Sequence, residues 1–217
     1  MDQRHHPNEA DPVGPASFVL PDSTRLWIVR HGETEWSKAG WHTGRTDVPL
    51  LPEGETQASA LQPTFADVHP VLVLSSPRQR ARRTAELAGF TVDDIDEDLS
   101  EWDYGDFERI SSHEIRKTDP TWQIWTHGVP NGETIEQISA RADRVIARVV
   151  PHLAKGPVVL FSHGHMSRVL GARWIGLPAS AGANFLLSTA APSLLGAQYG
   201  SPAITHWNIP NPAGGTA

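Results

Sequence analysis

Eleven histidines and fifteen arginines, set against three lysines and no cysteine, define the chemistry open to this 217-residue chain. An imidazole titrates near neutrality and serves as nucleophile, proton carrier or metal ligand. A guanidinium is a planar, bidentate donor suited to phosphate. Without cysteine, disulfides, thiolate nucleophiles and cysteine zinc sites are excluded. Three short clusters gather the useful residue types: Arg30-His31-Gly32-Glu33-Thr34, Ser75-Ser76-Pro77-Arg78-Gln79-Arg80 and Ser162-His163-Gly164-His165. A neutral imidazole among arginines can accept a phosphoryl group, with guanidinium groups and a second imidazole stabilising the charge on its equatorial oxygens. A carboxylic acid must then protonate the leaving alkoxide. Two other readings stay open: satisfied core histidines, and a metal chelated by His163 and His165. Against the metal, histidines two apart on an extended segment point to opposite faces, and no further ligand is spaced to complete a site.

These clusters need a scaffold that brings them together. Each directly follows a short apolar run: Leu26 to Val29, Val71 to Leu74 and Val158 to Phe161. Runs without alternation fit a parallel sheet covered on both faces. Helical patterns follow at Arg78 to Leu87, at about Met166 to Ile175, and at Glu133 to about Ala154. The last of these keeps Ile135, Ile138, Ala142, Val145, Ile146, Val149 and Leu153 on one stripe. Phe185 to Leu187, Leu194 to Tyr199 and Ala203 to Ile209 read as additional strands. The βα rhythm predicts one α/β domain over residues 24–209. Residues 1–23 read as a mobile N-terminal extension and 210–217 as a flexible tail. In open α/β sheets ligands gather beyond the carboxyl ends of the strands, so adjacency of the three runs would bring His31, His163 and the arginines to one edge.

Composition narrows the partners. The mix of 39% hydrophobic and 20% charged residues is that of a globular protein, and no apolar run approaches the roughly 18 residues of a membrane helix. The first 25 residues lack the pattern of a signal peptide, which predicts a cytoplasmic location. A net charge of −7 argues against general nucleic-acid binding. Nine acidic residues crowd Asp93 to Glu108 without the glycine and spacing of a calcium loop; most read as solvated surface around one functional glutamate. Arg78, Arg82 and Arg83 read as solvated helix charge. The eight tryptophans read as core and lid packing.

Four motifs, in order, then carry a resemblance. Arg30-His31-Gly32-Glu33 resembles the RHGE signature of the histidine phosphatase superfamily, phosphoglycerate mutase-like branch. Ser75 to Ala85 is similar to its second arginine motif, Leu99 to Glu108 to its acid motif, and Phe161 to Arg168 to its second histidine motif. The resemblance implies a three-layer α/β/α sandwich with a mostly parallel central sheet. It assigns His31 as the phosphoryl-accepting nucleophile, Arg30 and Arg80 as phosphate clamps, His163 as the second phosphoryl-binding histidine and Glu101 as general acid. Ser37, Thr43, Gly44, Tyr104, Gly164 and His165 fall where relatives contact substrate. No metal and no cofactor is implied.

The superfamily holds phosphatases and mutases. Mutases carry extra basic groups on a long insertion after the acid motif; here Ser111 to Gly128 offers Trp122, Ile124 and Trp125, read as an aromatic lid. Glu35 to Gly44, Glu101 to Gly105, Trp125 to Thr134 and Ser162 to His165 resemble a subgroup of acid phosphatases and sedoheptulose-bisphosphatase-like enzymes. The expectation is therefore a metal-independent phosphomonoester hydrolase for a small phosphorylated metabolite, with a homodimer as the expected assembly. A cofactor-dependent phosphoglycerate mutase is the alternative, and a non-catalytic phospho-ligand-binding protein the more distant one. One departure from the pattern is Arg109, where relatives usually carry glycine.

Overall fold

The computed structural model describes residues 18–216. Six strands form one sheet: β1 Leu26–Arg30, β2 Leu72–Ser75, β3 Asp94–Ile95, β4 Val158–Ser162, β5 Pro192–Gln198 and β6 Ser201–His206. Their spatial order is β3-β2-β4-β1-β5-β6. Strands β3, β2, β4 and β1 run parallel, and β5 and β6 continue the sheet antiparallel. Seven α-helices accompany them among the described residues: α1 Glu35–Lys38, α2 Pro52–Ser59, α3 Gln79–Leu87, α4 Ser112–Ile115, α5 Ile124–His127, α6 Ile135–Leu153 and α7 Gly164–Trp174.

The unalternating runs are explained by burial on both faces. Leu26, Ile28, Val158 and Leu160 pack on one side with Ile138, Val145, Ile146 and Val149 of α6 and with α7. Val29, Val73, Val159 and Phe161 pack on the other with Leu61, Phe65 and the Ala81 and Ala85 face of α3. This is a three-layer α/β/α sandwich with a mostly parallel sheet. Helix α6 begins at a capping box, in which Thr134 Oγ1 accepts from Gln137 N and the Gln137 side chain accepts from Thr134 N.

Register sets the site. Arg30 pairs with Ser162 and Ser75 with Phe161, so β1, β4 and β2 end at one level. His31 N then donates to Ser162 O at 3.0 Å and Ser76 N to Phe161 O at 2.9 Å, extending both ladders into the polar clusters.

Several expectations need correction. Phe185 to Leu187 is irregular backbone rather than a strand, because it bends across the sheet end where Leu187 O accepts from Arg30. The two-residue β3 and helix α2 had no periodic signal strong enough to reveal them. Of the proposed N-terminal extension, residues 1–17 lie outside the described residues; Leu20, by contrast, is buried in the core and its N–H bonds Gly200 O. Residues 210–216 are not a loose tail: Asn211 and Thr216 hydrogen-bond to Gln57, Ala190, Thr189 and Glu33. Trp122 and Trp125 are not a lid either. Both are buried in the main core.

Candidate active site

At the shared edge of β1, β4 and β2 lies a cavity of about 210 Å³, lined among others by Arg30, His31, Ser37, Thr43, Glu101, Tyr104, Gly164 and His165. Its floor begins at His31, which is 5% exposed. The backbone there is forced close to its neighbours: a Cβ on Gly32 would lie 2.3 Å from Gly54 O, so only glycine lets the motif turn after His31. Gly32 N donates to Thr84 Oγ1 and Glu33 N to Gln57 Oε1, both at 3.0 Å.

The tautomer of His31 follows from its contacts. Nδ1 lies 2.7 Å from Gly32 O, an acceptor, so Nδ1 carries the proton and Nε2 holds the free lone pair. Burial, reinforced by the charges of Arg80 and Arg30, pushes the His31 pKa well below its ordinary value. The ring is held neutral at neutral pH, with the Nε2 lone pair free to meet an electrophile.

His163 stands next to it, ring centroid 5.2 Å away and edge-on. Its Nδ1 accepts from Arg80 Nε at 3.2 Å, leaving Nε2 to donate to Ser76 Oγ at 2.7 Å. Burial first, then Arg80, keeps this ring neutral too. Both nitrogens of His163 are thus occupied by protein groups, and its direct partner is the Arg80 guanidinium.

Arg80 itself is fully buried. Its Nη1 donates to Thr46 O at 2.9 Å and its Nη2 to Thr43 O at 3.0 Å. Burial lowers its pKa to about 10, which leaves it charged at neutrality. The loop supplying these carbonyls is pinned by Glu108, whose carboxylate accepts from Gly44 N and Thr46 N at 3.0 and 2.9 Å. Glu108 is a positioning residue that motif reading passed over. Gly44, expected at the substrate, uses its N–H on Glu108 instead.

Glu101 occupies the N-terminus of α7. Its Oε1 accepts from Trp102 N and Met166 N, both at 2.9 Å, and its Oε2 from His165 N at 3.0 Å. Three backbone donors and the positive end of the helix fix the carboxyl orientation. Gly164 bridges it to Arg30: a Cβ there would sit 3.5 Å from Arg30 Nε and 3.6 Å from Glu101 Oε2.

The far wall is aromatic and imidazole. Tyr104, held neutral because burial raises its pKa, donates to His165 Nδ1 at 2.7 Å. His42 stacks on Tyr104 at 4.6 Å, and burial lowers its pKa to about 4. Ser37 lines the cavity, but its hydroxyl closes the capping box of α1 with Thr34. Thr43 Oγ1 donates to Trp41 O.

Of the arginines read as solvated, Arg83 pairs with Glu55 and Glu86 on the surface. Arg78 differs: it is half-buried and its Nε has no partner among the described residues. It lines a second, more open cleft of about 610 Å³ beyond Glu101, where Arg45, Arg141 and Arg144 are paired with Asp103, Glu133 and Asp98.

Comparison with known proteins agrees with this geometry. A curated acid phosphatase of Mycobacterium tuberculosis is 41% identical over 178 residues, covering 81% of this chain and 88% of that protein. The sedoheptulose 1,7-bisphosphatase of Saccharomyces cerevisiae is 39% identical over 190 residues, covering 73% and 70%. Among solved structures, that of an open reading frame from Mycobacterium tuberculosis matches with a TM-score of 0.83 at 39% identity, over 86% of this chain and 97% of the other. Mycobacterial glucosyl-3-phosphoglycerate phosphatase with VO3 matches with a TM-score of 0.76 at 26% identity, over 86% and 99%. Residues 26–210 match the profile of the histidine phosphatase superfamily, branch 1. With His31, His163, Arg30, Arg80 and Glu101 at one sheet edge, the chain belongs to that superfamily.

Proposed function

We propose that this phosphatase hydrolyses small phosphomonoesters through a phosphohistidine on His31. The observation that carries the reading is the His31 tautomer: Nδ1–H is tied to Gly32 O, which leaves Nε2 as the lone-pair nitrogen in a cavity shared with Arg30 and Glu101.

His31 Nε2 attacks phosphorus in line with the ester oxygen, the P–O bond breaks, and the leaving oxygen takes its proton from Glu101. Arg30 and Arg80 balance the negative charge of the phosphoryl oxygens, and His163 keeps Arg80 oriented between them. Water then attacks the phosphohistidine, giving its proton back to Glu101 as the P–N bond breaks. Orthophosphate leaves and His31 is restored. Tyr104, His165, Ser37 and Thr43 form the side of the cavity that receives the alcohol portion of the ester, with Gly44 and Gly164 shaping the backbone around it.

No helix among the described residues is long and apolar enough to cross a membrane. This reading assigns the enzyme to the cytoplasm, as a homodimer acting on soluble metabolites. The decisive test is acid-stable versus acid-labile labelling. Brief mixing with a 32P-labelled monoester should give an acid-labile, base-stable phosphoenzyme in the wild type and none in His31→Ala, which should also lose p-nitrophenyl phosphate turnover while keeping its circular dichroism. Normal turnover by His31→Ala would overturn the proposal. Incubation with 3-phosphoglycerate and 2,3-bisphosphoglycerate separates hydrolysis from mutase action: free phosphate is expected, with little 2-phosphoglycerate.

A further inference from the structure

Residues 211–216 lie beyond the stretch that matches the superfamily, yet they reach the centre of the RHGE motif. The approach is built in steps. Asn211 Nδ2 donates to Gln57 O and Ala190 O at 2.9 and 2.8 Å, and the chain turns there, with Ala213 N on Asn211 Oδ1 and Gly214 N on Asn211 O, each at 2.9 Å. The segment then pairs with Thr189: Thr189 N donates to Thr216 O at 2.9 Å, and Thr216 N to Thr189 Oγ1 at 3.1 Å. The pairing is close. A Cβ on Gly215 would stand 2.5 Å from Thr189 O, so glycine is required there.

From this position the segment holds two residues of the motif. Thr216 Oγ1 donates to Glu33 Oε1 at 3.1 Å, and Thr216 O accepts from Arg30 Nη1 at 3.3 Å. Leu187 O also accepts from Nη1, so that corner of the guanidinium is spent on two carbonyls. Arg30 Nε, by contrast, has no partner among the described residues and faces the Gly164 side of the cavity.

We infer that residues 211–216 are a positioning element that orients Arg30, with Thr216 as its contact, so that the Nε edge of the guanidinium is presented to the phosphate. Anchoring Nη1 removes rotation about the last side-chain bonds, and a fork held this way binds two phosphate oxygens without first being ordered. Glu33, fixed by the same threonine, keeps the segment registered on the motif. The inference rests on the reading of Arg30 as a phosphate clamp, and the test separates the two.

Three chains are compared with the full-length protein: one ending at Pro210, full-length Gly215→Val, and Arg30→Lys, with the last combined with each of the others. Readouts are kcat and KM for p-nitrophenyl phosphate, competitive inhibition by orthophosphate, and the melting temperature. Removing or displacing the segment should weaken orthophosphate inhibition and lower kcat/KM by about tenfold, the scale of one charge-assisted hydrogen bond. In the Arg30→Lys background the same change should cost less than twofold, since the group it orients is gone. Equal losses in both backgrounds, or an unchanged inhibition constant, would overturn the inference and show a structural role only. If Arg30→Lys alone leaves orthophosphate inhibition unchanged, the clamp reading of Arg30 fails instead. Should the shortened chain melt below the assay temperature, Gly215→Val decides the outcome by the same two criteria.

Discussion

Arg80 and Arg30 are matched in chemistry and opposite in how they are held. Arg80 is sealed in the interior, with Nε on His163 and its terminal nitrogens on carbonyls of a loop that Glu108 pins in place. Arg30 is half-buried and is anchored at one nitrogen by Leu187 and Thr216, two carbonyls from the C-terminal quarter of the chain. One proposed clamp is therefore part of the core and cannot move without breaking it. The other is a side chain steered by a strap. The difference separates stability from orientation: the same guanidinium group can be fixed by full burial in a hydrogen-bonded network, which links it to folding, or by two carbonyls at the rim of a cavity, which link it less.

The largest expected effect tests that separation. Arg80→Ala empties a buried volume and leaves Thr43 O, Thr46 O and His163 Nδ1 without their donors. It should cost about 3–5 kcal/mol in denaturant unfolding, the scale for breaking a buried charged network, together with a roughly thousandfold drop in kcat/KM, the upper scale for losing one preorganised donor. Arg30→Ala should lower kcat/KM on a comparable scale while costing about 1 kcal/mol or less in stability. Equal stability losses in the two variants would break the contrast.

A smaller effect sharpens it through pH. After burial, Arg80 is the strongest influence lowering the pKa of both His31 and His163, and Arg30 acts on His31 more weakly. In the proposed phosphohistidine mechanism neutral His31 is the active form, and its pKa lies below 6.5, so the acid limb of kcat/KM in the wild type should fall below pH 6.5. Removing a neighbouring cation raises the imidazole pKa and moves that limb upward. The shift should be larger for Arg80→Gln than for Arg30→Gln; the reverse order would overturn the assignment. The same depression carries a stability consequence. His31, His42, His163 and His165 all have lowered pKa values. Below pH 6.5 the unfolded chain therefore binds protons that the native state refuses. Stability should be fully present above that pH and decline as pH falls, by up to roughly 1.4 kcal/mol per pH unit for each imidazole. Melting temperatures that stay flat from pH 7 to 5 would contradict the buried, neutral state of these rings.

The contrast also explains what the sequence disclosed. His31, His163, Arg30, Arg80 and Glu101 stand out because each directly follows a strand or sits in a dense polar motif, and strand ends at one level are enough to gather them. The groups that hold them are far less visible. Glu108 acts through two backbone N–H groups of a loop 62 and 64 positions away, a pairing no local pattern records. Thr216 lies 186 positions from Arg30 and uses its main-chain oxygen, so its identity carries no signal for that contact. Segment 185–187 failed as a strand for a related reason: three apolar residues lining a bend have the same composition as three in a buried strand. Likewise the tryptophans of 111–128 are apolar enough for either a lid or a core, and only their burial and packing against His42 and His165 decide between them.

Arg109 is the smallest effect and the one departure from the motif whose reason is now visible. Its φ is +63°, the left-handed region that explains a glycine at this place in relatives. Its side chain offsets part of that cost by lying over Trp41 and Trp36 at 5.3 and 5.8 Å. The strain and the cation–π contact are each on the order of 1 kcal/mol, so Arg109→Gly, which removes both, should leave stability nearly unchanged. Arg109→Ala keeps the strain and loses the contact, and should melt lower than either. Turnover should change less than twofold in both, because the backbone bond from Arg109 N to His42 O at 2.9 Å and the neighbouring Glu108 anchor survive the substitution. A large loss of kcat in Arg109→Gly would mean that the guanidinium itself holds the loop behind Arg80, and the buried clamp would then depend on a surface contact just as Arg30 does.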